Sequence, residues 1–155
     1  MTGMPDFTIS RSVHVDADSA TVHALVDDFH EWVHWSPWEG TDPDLQRTYT
    51  GPSRGVGSSY AWKGRRAGEG TMTITGSSPE HVALDLSFVK PFTAHNQVRF
   101  TFEPVAAGGT EVTWTMRGTR GRVAALSMRL IKMDDRLAKD FDRGLASLRE
   151  RAESR

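Results

Sequence analysis

The segment RVAALSMRLIKMDDRLAKDFDRGLASLRE, residues 122–150, decides the fold class of this chain. It contains no proline, and its apolar residues recur at every third or fourth position, the spacing of one face of an α-helix. Charged residues such as Lys132, Arg136 and Asp142 occupy the opposite face. The sequence therefore predicts one long amphipathic helix of roughly 40 Å, at about 1.5 Å per residue, whose apolar face must be covered by another layer.

The sequence before this helix alternates between apolar and polar residues, as half-buried strands do. Two short helices are predicted after the first strand: one is capped by Asp18 or Ser19, and the other is a single turn that Pro37 ends. Strands are predicted at residues 7–15, 45–50, 57–63, 68–75, 80–89, 96–103 and 110–116. This order predicts an α+β fold in which a seven-stranded curved antiparallel sheet wraps around the C-terminal helix.

Length and composition limit the classes of function. A chain of 155 residues can bury a substantial core, so we expect residues 1–155 to form a single domain. It has 19 basic and 20 acidic residues without a basic block, which predicts no nucleic-acid interface. It has no cysteine, no signal-peptide pattern and no apolar stretch of about 20 residues. These features predict a cytoplasmic protein without membrane insertion.

Four motifs together carry a resemblance to a known family. They are the run WVHWSPW with Trp32, Trp35, Ser36, Pro37 and Trp38, the pair Gly55 and Gly57 before Tyr60 and Trp62, the strand GTEVTWTMRG at 109–118, and DFDRGL at 140–145. With these motifs the chain resembles the polyketide cyclase/dehydrase-like branch of the START-like (SRPBCC) superfamily over nearly its whole length. The resemblance implies the helix-grip fold, also seen in the birch-pollen allergen family, with a hydrophobic cavity between the sheet and the C-terminal helix. Members of this superfamily carry lipids, bind hormones, cyclise polyketides or serve as enzyme subunits, so fold alone does not select an activity.

The inward side of the predicted strands and the apolar face of the long helix supply the candidate ligand-binding residues. Many of them are aromatic or methionine side chains, which are adaptable or polar-tipped, where a dry core favours Leu, Ile and Val. The predicted lining residues are Trp35, Trp38, Tyr60, Trp62, Met72, Phe88, Phe100, Trp114, Met116, Leu130, Met133 and Leu137. The alternative is that these side chains form a solid core, because aromatic and methionine stripes usually fill space.

The three tryptophans of residues 32–38 allow two interpretations. In the first, they close one end of the sheet and pack on the long helix near Gly144, since a glycine inside a helix indicates a large neighbour that approaches closely. In the second, they form the wall of a cavity mouth, because ligand pockets are mostly apolar and aromatic. If they are exposed together, they form a docking surface for another protein.

Residues 30–34, HEWVH, match the H-E-x-x-H zinc motif. That chemistry needs both histidines on a stable helix and a third protein ligand beyond them. Pro37 ends the helix too early, and no later residue follows in a recognisable ligand pattern. The sequence therefore predicts no metal site.

Four other polar residues are candidates for proton transfer at a cavity. Arg11 shares the inward side of its strand unless a bulge turns it outward. We expect Glu69 to form an exposed ion pair with a neighbouring arginine of its hairpin, and His95 to be a solvated loop histidine. Asp134 is the fourth candidate, on the long helix.

These observations predict a protein that binds, and in one version of this function transports, a small hydrophobic or aromatic molecule without a metal or organic cofactor. Two other functions stay open. A polyketide aromatase or cyclase needs an inward titratable group, so the sequence leaves enzymatic activity undetermined. An interaction module would use the loop of residues 32–38. The expected partner is a small hydrophobic ligand, not nucleic acid, and a homodimer is compatible with the sequence.

Overall fold

The elements follow the predicted order of a strand, two short helices, six strands and a long helix. The computed structural model describes residues 6–40, 42–90, 93–119 and 128–155, and within the last range the side chains from residue 135 onward. The elements are β1 (Asp6–Val15), α1 (Ser19–Val26), a 3₁₀ turn (Trp32–His34), β2 (Gln46–Thr50), β3 (Ser59–Gly64), β4 (Gly68–Ser78), β5 (His81–Lys90), β6 (Ala94–Pro104), β7 (Thr110–Thr119) and α2 (Met128–Glu153). The predicted α+β helix-grip architecture is confirmed.

The seven strands form one antiparallel sheet in the order β1-β7-β6-β5-β4-β3-β2, so β1 and β2 are its edges. The β4–β5 ladder shifts register between Glu69 and Gly70 and again between Ile74 and Gly76. Such bulges bend a strand and increase its twist, which helps to curve the sheet. On the concave side α2 packs mainly on β1 and also contacts β7, α1 and the 3₁₀ turn.

The segment from α1 to the 3₁₀ turn is held by side-chain hydrogen bonds to the backbone. The carboxylate of Asp18 accepts from the backbone N–H of Thr21 at 2.8 Å, which caps α1 and lowers the pKa of Asp18. At the other end, the indole N–H of Trp32 donates to the carbonyl of Val26 at 2.8 Å. The turn is therefore tied back onto the last residues of α1.

Three element boundaries differ from the sequence prediction by three residues, and the other strand ends by at most two. β4 runs to Ser78 instead of residue 75, because after the bulge its last residues still pair with β5. β7 runs to Thr119 instead of residue 116, because Gly118 pairs with both β1 and β6 and does not end the strand. α2 ends at Glu153, three residues beyond the predicted end, whereas residues 122–127 of the predicted helix lie outside the described residues.

Candidate functional site

One half of the concave face is a solid aromatic core, which we call the closed end. It contains Trp32, Trp35, Phe100, Trp114 and Phe141, each 5% exposed or less. The ring of Trp114 stacks on Phe141 at a centroid distance of 4.0 Å and on Phe100 at 4.8 Å. Three of the predicted lining residues, Trp35, Phe100 and Trp114, lie in this close-packed cluster and contact one another.

The glycine of α2 allows the helix to approach this core. A Cβ atom at Gly144 would lie 2.8 Å from Cδ of Pro37 and 3.0 Å from Cζ3 of Trp114. A large close neighbour was predicted, but it is Trp114 with Pro37 and not the indoles of residues 32–38. Trp38 instead contacts Phe141 at a centroid distance of 6.4 Å, and its N–H donates to Asp140 Oδ2 at 3.3 Å.

The other half of the concave face, which we call the open end, is a row of four rings that stay half-buried. It consists of Tyr49, Tyr60, Trp62 and Phe88, on β2, β3 and β5. The centroids are 5.4 Å apart from Tyr49 to Tyr60, 6.2 Å from Tyr60 to Trp62, and 5.6 Å from Trp62 to Phe88. Tyr60 also stacks on Phe29 at 5.8 Å, which joins the row to the closed end.

Trp62 forms the floor of the open end. A Cβ atom at Gly70 would lie 2.5 Å from Cη2 of Trp62, so the indole lies across the neighbouring strand. Its N–H donates to the carbonyl of Ala67 at 3.2 Å. The turn that carries this carbonyl is in turn held by Asp42, whose Oδ2 accepts from the N–H groups of Arg66 at 2.8 Å and Ala67 at 2.9 Å. These backbone donors lower the pKa of Asp42.

Three of the remaining predicted lining residues are buried or partly buried, and two have side chains outside the described residues. Met72 and Met116 are buried, and Leu137 is partly buried against the core. Leu130 and Met133 belong to the part of α2 whose side chains lie outside the described residues.

Sequence reasoning missed Asn96, a buried polar residue on the concave face. Its side chain lies over Gly118, next to the ring of Phe7. Asn96 has the same strand parity as Val98 and Phe100, and this polar residue at an inward position was the available signal.

The indole N–H groups separate Trp114 from the other tryptophans. The Nε1 atoms of the other four tryptophans donate to Val26 O, Leu25 O, Asp140 Oδ2 and Ala67 O. Nε1 of Trp114 is buried and has no acceptor among the described residues. An unsatisfied buried donor costs roughly 1–3 kcal/mol. Because Cζ3 faces Gly144, this N–H points away from that glycine.

A polar cluster lies beside the ring row of the open end. Nη2 of Arg47 donates to Oε1 of Glu39, with the two side chains 31% and 20% exposed. The hydroxyl of Tyr60 lies beside this pair, and burial raises the pKa of Tyr60 to about 12. Burial also raises the pKa of Tyr49, with the charges of Glu39 and Asp28 adding to the rise. Both phenols are therefore uncharged at neutral pH.

Sequence reasoning also missed Glu39 and Arg47. β2 has the sequence QRTYT, which contains too few apolar residues to show which side faces inward. The strand pairing decides which side of β2 faces inward, because Arg47 lies opposite Trp62 and Tyr49 lies opposite Tyr60. The parity shared by Arg47 and Tyr49 was the only signal in the sequence.

The two histidines of the H-E-x-x-H match do not converge. His30 has its Nδ1 2.9 Å from Asp28 Oδ1 and stacks on Tyr49 at a centroid distance of 4.1 Å. His34 is exposed and lies in the 3₁₀ turn. Within the described parts of the chain, no three His, Cys, Asp or Glu side chains are grouped so that they could hold a metal ion.

Of the described candidates for proton transfer, Arg11 is on the concave side of the sheet, at its edge, and His95 is on the convex side. Arg11 lies opposite Trp114 in the β1–β7 ladder. Arg11 follows a strand without a bulge, and its Nε lies 3.5 Å from Asp142 Oδ2 of α2 at the sheet edge, with 46% of its side chain exposed. His95 is exposed in β6, not in a loop as predicted, and its Nδ1 lies 3.0 Å from Ser87 Oγ. The fourth candidate, Asp134, has a side chain outside the described residues.

Glu69, the remaining candidate, lies on the convex face of the sheet. It pairs across the β3–β4 ladder with Lys63, and the described ion pairs do not include the predicted one with an arginine. Both residues line a groove of about 240 Å³ that also includes Thr71, Val89 and Trp62 of the ring row. A second, shallower hollow of about 380 Å³ lies at the C-terminal part of α2, beside His34.

Comparison with known proteins agrees with this architecture. Neither helix in the described part of the chain has the length and apolar composition to cross a membrane. The chain is similar to the solved structure of Ara h 8.0201, with 13% identity, a TM-score of 0.67, and coverage of 97% of this chain and 100% of that one. It is similar to the Aha1 dimer from Colwellia psychrerythraea, with 16% identity, a TM-score of 0.65, and coverage of 95% and 96%.

A third similar structure is DynU16, a putative protein in the dynemicin biosynthetic locus, with 17% identity and a TM-score of 0.64. The match covers 94% of this chain and 47% of that one. At these identities the likenesses establish the fold alone. No curated protein matches the chain. The family model described as "Polyketide cyclase / dehydrase and lipid transport" matches residues 6–153. The chain therefore belongs to the polyketide cyclase/dehydrase and lipid transport family.

Proposed function

We propose that this protein binds a small hydrophobic or aromatic molecule at the open end, between the concave face of the sheet and α2. The observation that carries the proposal is the row of Tyr49, Tyr60, Trp62 and Phe88, which stay half-exposed although they lie on the concave face. Rows of ring surfaces with a few polar groups beside them are typical of ligand pockets. Transport of such a molecule is compatible with the family description.

Burial of the exposed ring surfaces favours an apolar ligand. Apolar surface gains roughly 25 cal/mol per Å² when it is removed from water. A two-ring ligand that covers about 100 Å² of the row would therefore gain roughly 2.5 kcal/mol from the protein side alone.

The two other functions have less support. A docking loop needs exposed indoles, but Trp32 and Trp35 are buried. An aromatase or cyclase needs an inward titratable group. Of the described candidates, Glu69 and His95 lie on the convex face, and Arg11 is paired with Asp142 at the edge of the concave face. This alternative would have to use Glu39 or Tyr60, which lie beside the ring row. The cytoplasmic location and the homodimer stay predictions.

Fluorescence titration with the neutral probe N-phenyl-1-naphthylamine tests the proposal. We expect saturable binding, and we expect Trp62→Ala to weaken it at least about tenfold, because the flat floor of the site is lost. Lys63→Ala is the matched control, since Lys63 is the next residue of β3, faces the opposite side and lines the convex groove. This control should leave the affinity unchanged.

Two results would contradict the proposal. The first is the absence of saturable binding by the wild-type protein. The second is loss of binding in Lys63→Ala, whether or not Trp62→Ala also weakens it, because Trp62 is among the residues that line the convex groove. Circular dichroism of each variant confirms that it is folded, and Trp62→Phe, which keeps a ring at the floor, should retain most of the affinity.

A further inference from the structure

We infer that the polar cluster of Glu39, Arg47 and Tyr60 makes the open end select ligands whose polar end is an uncharged oxygen, such as a phenol or an aryl ketone, over ligands that end in a carboxylate. This inference rests on the proposed function, because the cluster lies beside the ring row that we propose as the binding surface. It goes further in naming the chemical class of the ligand and the residues that set it.

The strand pairing places the cluster within reach of a molecule lying on the rings. Arg47 lies opposite Trp62, and Tyr49 lies opposite Tyr60, in the antiparallel β2–β3 ladder. Directly opposite residues of an antiparallel pair have Cβ atoms about 4.5–5.5 Å apart. A two-ring ligand stacked on Tyr60 and Trp62 would therefore have one edge next to the guanidinium of Arg47.

The cluster has hydrogen-bond donors to spare. A guanidinium carries five N–H donors. The side chain of Arg47 donates at Nη2 to Glu39 and also hydrogen-bonds to the hydroxyl of Tyr60, which leaves further N–H groups for a ligand. Tyr60 adds a hydroxyl beside Arg47. Two kinds of donor thus converge on one place at the edge of the rings, where a ligand oxygen can accept from either.

The charge balance decides which kind of oxygen is favoured. Glu39 already neutralises Arg47, and both side chains are mostly shielded from water. The other titratable groups around the row are Asp28, which pairs with His30, Asp42, which accepts from the turn before β4, and the uncharged phenols of the two tyrosines. A ligand carboxylate would add a second negative charge next to Glu39 in a place where screening is weak. A phenol or a ketone accepts the same hydrogen bonds without that repulsion.

The same reasoning identifies Glu39 as the residue that excludes acids. If its charge is removed, Arg47 becomes an unpaired cation whose planar N–H groups match a carboxylate in a bidentate arrangement. Glu39→Gln should therefore reverse the preference of the site while leaving its rings intact. Glu39 lies in the loop before β2 and outside the ring row, so this change leaves the apolar surface as it is.

Displacement of N-phenyl-1-naphthylamine by 2-naphthol and by 2-naphthoate at pH 7 tests the inference, since the first is neutral and the second anionic. For the wild-type protein we expect 2-naphthol to bind at least about tenfold more tightly than 2-naphthoate. Glu39→Gln should shift the ratio of the two affinities at least about tenfold towards 2-naphthoate. Arg47→Gln should weaken 2-naphthol, and Lys63→Gln, which removes a cation from the convex face of the adjacent strand, should leave both affinities unchanged.

The outcomes separate this inference from the proposed function. The selectivity is overturned if the neutral probe binds at the open end but 2-naphthol and 2-naphthoate displace it equally well. It is also overturned if Glu39→Gln leaves the ratio of their two affinities unchanged. In both cases the binding function stands. If the probe does not bind the wild-type protein, both are overturned. Tyr60→Phe is a second check that does not alter charge, and it should weaken 2-naphthol more than it weakens naphthalene.

Discussion

The closed end and the open end of the concave face use the same kinds of side chain, yet one is a core and the other is a surface. At the closed end, the segment of residues 29–38 and the C-terminal half of α2 cover the strands from above, so Trp114 contacts rings on several sides. At the open end the rings lie on β5, β3 and β2, and β2 is an edge strand of five residues. The comparison teaches that the covering layer, and not the residue type, decides whether an aromatic residue stabilises the fold or stays available to a ligand.

The largest expected effect comes from truncating the closed end. Trp35→Ala removes a side chain that is 2% exposed and donates to the carbonyl of Leu25 at 2.9 Å. We expect a loss of about 3–5 kcal/mol in the free energy of unfolding, measured by urea denaturation. Trp62→Ala at the open end should cost less than about 2 kcal/mol, because its indole is already half-exposed. Equal losses in the free energy of unfolding of the two variants would contradict the difference between the closed end and the open end.

A smaller effect is expected where α2 meets the closed end. Gly144→Ala gains about 1 kcal/mol of helix propensity but pushes a methyl group against the rigid rings of Pro37 and Trp114, which typically costs about 1–3 kcal/mol. We expect a net loss of up to roughly 2 kcal/mol in the free energy of unfolding. Lys139→Ala, at an exposed position of the same helix, is the control and should change stability by less than about 0.5 kcal/mol. A stabilised Gly144→Ala protein would show that the helix has room to move.

A substitution of Asp42, which holds the turn beside Trp62, should affect only the open end. Asp42 holds the turn whose carbonyl accepts from Trp62, so Asp42→Asn should speed hydrogen exchange at the N–H of Ala67 without affecting the closed end. The pKa of Asp42 is lowered in the folded protein, so its contribution is present above the ordinary pKa of 3.8 and is lost as the pH falls through the lower folded value. Thermal midpoints should therefore depend less on pH below about 4 in the variant. Equal acid sensitivity in both proteins would contradict this role.

The smallest effect is confined to alkaline pH. The chain has two tyrosines, so the absorbance of tyrosinate reports on the open end alone. The pKa of Tyr60 is raised to about 12, whereas an unfolded tyrosine ionises near about 10. The unfolded state then loses its proton first, and stability should fall as the pH rises between these values. Tyr60→Phe should remove the ionisation at the higher pH and the loss of stability that goes with it. A single tyrosine transition at about pH 10 in the wild-type protein would contradict the burial of Tyr60.

Much of the fold could be predicted because it rests on local periodicity. Alternation over residues such as Val82, Leu84 and Leu86 marks a strand with one buried face wherever that strand lies in the sheet. The boundaries were less predictable. Gly118 was expected to end β7, but a glycine there accommodates the side chains of Asn96 and Phe7 across the sheet, and this is a tertiary fact.

The candidate site could be predicted only by residue type. The sequence placed twelve residues on inward or helix-facing positions, but it could not separate Trp114 in the closed end from Trp62 in the open end. It also missed Glu39 and Arg47, because their partnership joins a loop to a strand that lacks an apolar pattern. An ion pair between such segments has no signature in local spacing.

By itself, the sequence determined the order of the elements, the antiparallel sheet and the amphipathic helix that covers it, because periodicities of two and of three to four residues follow from backbone geometry alone. Only the tertiary structure decided which rings are enclosed, which stay half-exposed, and which charged pair stands beside them. These properties depend on which segments cover each strand, and the covering segments contain residues as far apart in sequence as Pro37 and Gly144.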